Sequence, residues 1–216
     1  MDVYQFRTLS WNDPANSSLS KHKGAGSSLA CMQNILFFGD SLTAGYGLSN
    51  VSVESLPALL QEKINAAGLE YKVINAGVSG ETSAGGLSRI DLLLDQQIDI
   101  FVLELGANDI LRGISPQNTA ANLQGIVDKV KQRYPEAKML LLGMELPAWI
   151  PSSLVGDFRR IFRQVAQRND MALVPFMLDG VAGIRHLNLH DGIHPTAAGY
   201  RIVADKIWPV LKRLIS

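Results

Sequence analysis

Ile35-Leu36-Phe37-Phe38-Gly39-Asp40-Ser41-Leu42-Thr43-Ala44-Gly45-Tyr46-Gly47 is the stretch on which the reading of this chain turns. Four apolar residues, Ile35 to Phe38, read as a short strand that breaks at Gly39 into the polar pair Asp40 and Ser41. A strand that is apolar throughout belongs inside a parallel sheet covered on both faces. Whatever follows its carboxyl end then lies where open α/β sheets bind ligands. Ser41 is therefore read as a nucleophile, and the rest of the chain as its support.

Working outward, strand and helix patterns alternate. Residues 53–67 form an apolar stripe through Leu56, Leu59, Leu60 and Ile64, ended by Gly68. A second strand covers residues 71–75, and a Gly/Ser-rich turn runs over 76–83. Residues 84–96 read as a helix with Leu87, Ile90, Leu93 and Leu94 inward. The third strand, 100–105, ends in Gly106-Ala107-Asn108-Asp109. Helices over 117–133, 154–169 and 196–214 alternate with strands over 139–144 and 172–174, and residues 175–195 read as loop. Five such alternations predict a three-layer α/β/α sandwich with a five-stranded parallel sheet. Right-handed crossovers favour the flavodoxin-like strand order 2-1-3-4-5.

Residues 1–33 are unlike the rest: Asn, Ser, Gly and Lys with scattered Tyr4, Phe6 and Trp11. They read as a flexible or cloning-derived extension, and residues 34–216 as the folded domain. The alternative is a tail that docks its aromatic residues. Twenty basic and 20 acidic residues cancel, so no electrostatic footprint for nucleic acid is present. The single Cys31 excludes an intrachain disulfide and Cys-based zinc sites. No apolar run approaches a membrane span, and no stable membrane insertion is expected. The amino terminus lacks the apolar core of a signal peptide, which as written implies the cytoplasm, or the periplasm if a native leader has been replaced. Nothing in the chain sets an oligomeric state.

Chemistry-bearing residues fall at the carboxyl ends of predicted strands: Ser41 after the first, Gly80 after the second, Asn108 after the third. Asp191 and His194 lie on the last long loop. Acyl transfer needs these parts. A serine hydroxyl needs a base to take its proton, a histidine can do so while a carboxylate steadies it, and N–H groups must meet the developing oxyanion. Each signal has a plainer reading. Gly-Asp-Ser favours turns, Gly80 could be a turn glycine, and Asn108 or Asp109 could cap the following helix. The weight lies in the joint pattern. His186, His190 and His194 recur every four residues, as zinc ligands on a helix do, but Gly192 and Pro195 interrupt a helix there. The glycines of 77–86 lack the sequence context of a phosphate loop.

The blocks Gly39-Asp40-Ser41-Leu42, Ser79-Gly80-Glu81-Thr82, Gly106-Ala107-Asn108-Asp109 and Asp191-Gly192-Ile193-His194-Pro195 together resemble the SGNH, or GDSL, hydrolases. Within them the chain is similar to the bacterial thioesterase I / lysophospholipase L1 / arylesterase group, over roughly residues 34–214. The resemblance implies Ser41 as nucleophile, His194 as general base and Asp191 as its orienting acid. It implies an oxyanion hole from the N–H groups of Ser41 and Gly80 and the amide of Asn108. Gly80 leaves the backbone bare for close approach. No metal or cofactor is implied. The expected substrate is a small acyl ester of short to medium chain, with acyl-thioesters, lysophospholipids and acetylated sugars as further classes.

Asp40, Ile110, Leu111, Leu146, Pro147, Trp149 and Ile193 are read as substrate-binding. Residues 110–116 match a loop that moves on acyl binding in the thioesterase I group, although Ile110, Leu111 and Ile114 could instead pack under the next helix. The segment 145–153 departs from the family's Ile-Pro-x-Asn-Tyr-Gly-like stretch, with Trp149 and Ile150 adding apolar content.

Overall fold

The computed structural model describes residues 32–144 and 152–216. Five parallel strands, β1 (Gln33–Gly39), β2 (Tyr71–Gly77), β3 (Ile100–Glu104), β4 (Lys138–Leu142) and β5 (Ala172–Val174), lie in the order β2-β1-β3-β4-β5, as expected from the sequence. β1 pairs with β2 and β3, and Ile35 to Phe38 have no exposed surface. Full burial of such side chains is worth about 1.5–3 kcal/mol each, so β1 anchors the sheet. Its Phe38 ring lies 5.9 Å from that of Phe101 of β3, and the Arg89 guanidinium lies over the Phe38 ring, 4.2 Å from its centroid.

The helices are α1 (Ser41–Ala44), α2 (Val51–Glu54), α3 (Leu56–Ala66), α4 (Ser83–Arg89), α5 (Ala107–Leu111), α6 (Pro116–Arg133), α7 (Ser152–Asn169) and α8 (Ala197–Ile215). α3 packs on α8, while α6 packs on α4 and α7. These groups form the outer layers of the sandwich. Among the described residues no helix is long and apolar enough to cross a membrane.

Two helices differ from the sequence reading. The helix expected over 53–67 is divided at Ser55, whose side chain caps α3 by accepting from the Ala58 N–H. Pro57 enforces the break: it has no N–H to extend a helix back through Ser55, and it fits the first turn of a new one. The helix expected over 84–96 ends as α4 at Arg89 and tightens into a 3₁₀ turn over Ile90–Leu93, leaving Leu92 exposed. After β3, Gly106 leads into the short helix α5, which carries Asn108 and Asp109.

Close packing aims the carboxyl edge of the sheet. A Cβ on Gly39 would collide with Thr43 Oγ1 and lie 2.6 Å from Glu104 Oε2. A Cβ on Gly77 would strike the Ala44 backbone, 2.7 Å from its Cα. Two strands therefore end flush against α1, with Ser41 on its first residue. At the other end of the sheet a cavity of about 340 Å³ is lined by strand starts such as Gln33, Tyr71 and Lys138. It holds no nucleophile–base pair.

Candidate active site

Ser41 opens α1, and the Asp40 carboxylate caps that turn by accepting from the Leu42 N–H at 3.0 Å. Ser41 is 8% exposed. Its Oγ lies 2.8 Å from His194 Nε2. His194 Nδ1 lies 2.6 Å from Asp191 Oδ2. The carboxylate at Nδ1 holds the ring proton there, which leaves Nε2 free to accept from the serine.

Asp191 and His194 come from one tight turn. Asp191 Oδ1 accepts from the backbone N–H groups of Ile193 and His194 at 2.9 and 3.0 Å. Partial burial pushes the Asp191 carboxyl up. The backbone N–H of His194, its ring, the Ile193 N–H and the imidazole charge outweigh that and hold it below the ordinary value of 3.8. His186 lies in a 3₁₀ turn over Arg185–Leu187, so the three histidines do not share a helix. Among the described residues no group of three or more His, Cys, Asp or Glu is arranged to hold a metal ion.

The expected oxyanion donors converge on the same place. Ser41, Gly80, Asn108 and His194 line one cavity of about 150 Å³, with Leu42, Tyr46, Ser79, Leu111 and Ile193. Gly80 is there for its backbone conformation: φ is +80°, and an added Cβ would meet only Arg112 Nη2 at 3.6 Å. Arg112 Nη2 donates to the Gly80 carbonyl at 2.7 Å and fixes that peptide.

Asn108 Nδ2 donates to Asp40 Oδ2 and to the Glu81 carbonyl, both at 3.0 Å. Asp109, for which capping of the next helix was the plainer alternative, does something else. Ser115 caps α6, while the fully buried Asp109 accepts from the Ser83 N–H at 2.8 Å, Ser83 Oγ at 2.5 Å and Thr119 Oγ1 at 3.1 Å. It ties α5 to α4 and α6 and so sets the place of Asn108.

Two substrate-binding expectations are corrected. Asp40 has no exposed surface, so it cannot touch a substrate; it supports Leu42 and Asn108 from beneath. Ile110 is half-buried against the hydrophobic core and does not line the cavity. Leu111 and Ile193 do line it. Leu146, Pro147 and Trp149, like residues 1–31 of the extension, lie outside the described residues.

Tyr46, Arg112 and Glu104 were not singled out from the sequence. The Tyr46 ring lies 4.7 Å from that of His194 and separates the 150 Å³ cavity from a wider groove of about 860 Å³ lined by His186, Leu189, His190 and Asp191. Glu104 carried a legible signal: it is an acid inside the apolar run Ile100 to Leu105.

A serine, a histidine and an aspartate in hydrogen-bond sequence, beside Gly80 and Asn108 at the carboxyl edge of a parallel sheet, are the parts an acyl hydrolase needs. The chain belongs to the GDSL-like lipase/acylhydrolase family, whose model matches residues 37–202, and it is a carboxylic ester hydrolase of that family. It is 40% identical over 187 residues to Esterase TesA of Pseudomonas aeruginosa, covering 86% of this chain and 91% of that protein. It is 36% identical over 188 residues to thioesterase 1/protease 1/lysophospholipase L1 of Escherichia coli, covering 87% of each. The crystal structure of TesA superposes with a TM-score of 0.80 at 40% identity, covering 84% of this chain and 99% of that one.

Proposed function

We propose that this enzyme hydrolyses short- to medium-chain carboxylic esters, aryl and alkyl esters foremost, through an acyl-enzyme on Ser41. One observation carries the reading: the unbroken chain from Asp191 through His194 to Ser41 Oγ, with steps of 2.6 and 2.8 Å, opening on the cavity lined by Gly80 and Asn108. His194 Nε2 takes the hydroxyl proton as Oγ attacks the acyl carbonyl carbon. Asp191 steadies the imidazolium. The N–H groups of Ser41 and Gly80, with the Asn108 amide, receive the oxyanion. His194 then gives its proton to the departing alcohol or thiol, and water reverses the sequence to free the acid.

The chain-length preference rests on the modest cavity, with apolar Leu111 and Ile193 at its rim. The names of the relatives, esterase and thioesterase 1/lysophospholipase L1, support esters and keep thioesters within range. Hydrolysis of a p-nitrophenyl ester series from acetyl to palmitoyl tests the proposal, with Ser41→Ala as control. Activity should peak at the short end and fall at least about 10⁴-fold in the control. Substantial turnover by Ser41→Ala would overturn the role of Ser41, and a maximum at palmitoyl would overturn the chain-length preference.

A further inference from the structure

Two spaces of different chemistry adjoin the imidazole. The smaller, of about 150 Å³, has apolar Leu42, Leu111 and Ile193 in its lining. The wider groove of about 860 Å³ has Arg185, His186 and His190 in its wall. Tyr46 lines both, and its ring lies 4.7 Å from that of His194.

The reaction decides which half of an ester each space can serve. In the proposed mechanism the carbonyl oxygen points toward Gly80 and Asn108. His194 hands its proton to the departing oxygen, so the alcohol half lies on the imidazole side of Ser41. That is the side on which the wide groove begins.

The groove is strapped to the catalytic turn by backbone. The Leu189 N–H donates to the His194 carbonyl at 2.8 Å, the Thr196 N–H donates to the Leu187 carbonyl at 2.8 Å, and Asn188 and Pro195 form an antiparallel bridge. The wall that carries the basic residues is therefore held in place relative to the group that protonates the leaving oxygen.

The charge of the groove is one-sided. The side chains of Arg185, His186 and His190 are exposed and have no hydrogen-bond or ion-pair partner among the described residues. The one acid in the lining is Asp191. Its Oδ1 is taken by two backbone N–H groups and its Oδ2 by the His194 ring. A guanidinium offers a planar fork of donors that fits a carboxylate or phosphate, and an imidazole adds a ring N–H.

We propose that this groove is the subsite for the alcohol half of the substrate, and that it takes an alcohol carrying a carboxylate or phosphate, gripped by Arg185 with His186 and His190 in support. The inference rests on the hydrolase reading of Ser41 and His194 and deepens it: the preferred ester joins an apolar acyl group to an anionic leaving group.

Three butyrate esters test this: 4-butyryloxybenzoate, 4-butyryloxyphenyl phosphate and the uncharged 4-butyryloxybenzamide. Each kcat/KM is divided by that ester's rate with free imidazole, which removes differences in intrinsic reactivity. The native enzyme should favour at least one anionic ester over the benzamide about tenfold, and the larger of the two ratios identifies the anion. The preference should shrink as salt is raised from about 50 mM to about 1 M, because exposed charges are screened. Arg185 is exposed at the start of a 3₁₀ turn, so its replacement leaves the core untouched. Arg185→Ala should bring the ratio near unity and Arg185→Glu below it. A native ratio near unity for both anions, or a preference that survives in Arg185→Glu, would overturn the proposal. Calorimetry on the Ser41→Ala protein separates the subsite from the nucleophile. It should bind 4-hydroxybenzoate or 4-hydroxyphenyl phosphate more tightly than 4-hydroxybenzamide. If Ser41→Ala still hydrolyses the esters but keeps this discrimination, the reading of Ser41 fails and the subsite stands. If it is inactive and binds all three phenols alike, the subsite fails and Ser41 stands.

Discussion

The two sides of Ser41 are built in opposite ways. On one side the base and its acid come from a single surface turn. Asp191 and His194 are three residues apart, with side chains 35% and 15% exposed, and the turn's own N–H groups hold the acid. On the other side the proposed oxyanion donors rest on groups drawn from distant parts of the chain. Asp40, Glu104 and Asp109 have no exposed surface, and their partners span α1, β3, α4, α5 and α6. The base side is a local device that the loop completes by itself. The oxyanion side exists only once the sheet has formed.

The largest expected break on the base side is Asp191→Asn. The amide oxygen can still accept from the two backbone N–H groups, so the turn should survive, but the wrong ring tautomer becomes accessible. The kcat should fall by about 10³–10⁴-fold, with a near-native unfolding midpoint in urea. A midpoint shift as large as that of a core variant would contradict the self-contained turn.

On the oxyanion side, Asn108→Ala should lower kcat about 10²–10³-fold with KM nearly unchanged. It should also destabilise the protein, because Asp40 and the Glu81 carbonyl each lose a donor. Steady-state kinetics beside urea denaturation checks both. A pure KM effect would show that Asn108 binds ground state and transition state alike.

The smallest effect distinguishes the two sides by sign. Asp191 is depressed in the folded chain, so its contribution to stability is present above its ordinary value of 3.8 and is lost as pH falls through its lowered folded value. Asp40 is raised to about 6 by burial, so its contribution is full below 3.8 and is lost as pH rises through about 6. Urea midpoints followed across this range should therefore decline less toward high pH in Asp40→Asn than in the native protein. An unchanged slope between pH 3.8 and about 6 would remove Asp40 from the linkage.

The same contrast explains what the sequence made legible. The proposed nucleophile, base and acid sit in short blocks whose order along the chain places them at one sheet edge, where the structure brings their side chains into hydrogen-bond contact. β1 could be read from four consecutive apolar residues, and the strand order from the alternation. The supporting groups could not be placed that way. Arg112 matters because it reaches Gly80, 32 residues earlier, and Asp109 because it reaches Ser83 rather than its own helix. Glu104 announced itself only as an acid in an apolar strand, which marks a buried charge but not its partner. The division of the 53–67 helix was written in Ser55 and Pro57, a capping residue just ahead of a helix-starting proline.

The short helix α5 carries more than its length suggests. Leu111 lines the pocket, Asn108 is the proposed side-chain donor, and Arg112, one residue beyond the helix, holds the carbonyl of Gly80, the residue whose own N–H is another proposed donor. Rim and donors therefore share one rigid part. A chain pressing on Leu111 pushes the same lever that sets both donors, so substrate fit and transition-state geometry are mechanically geared and cannot be adjusted separately.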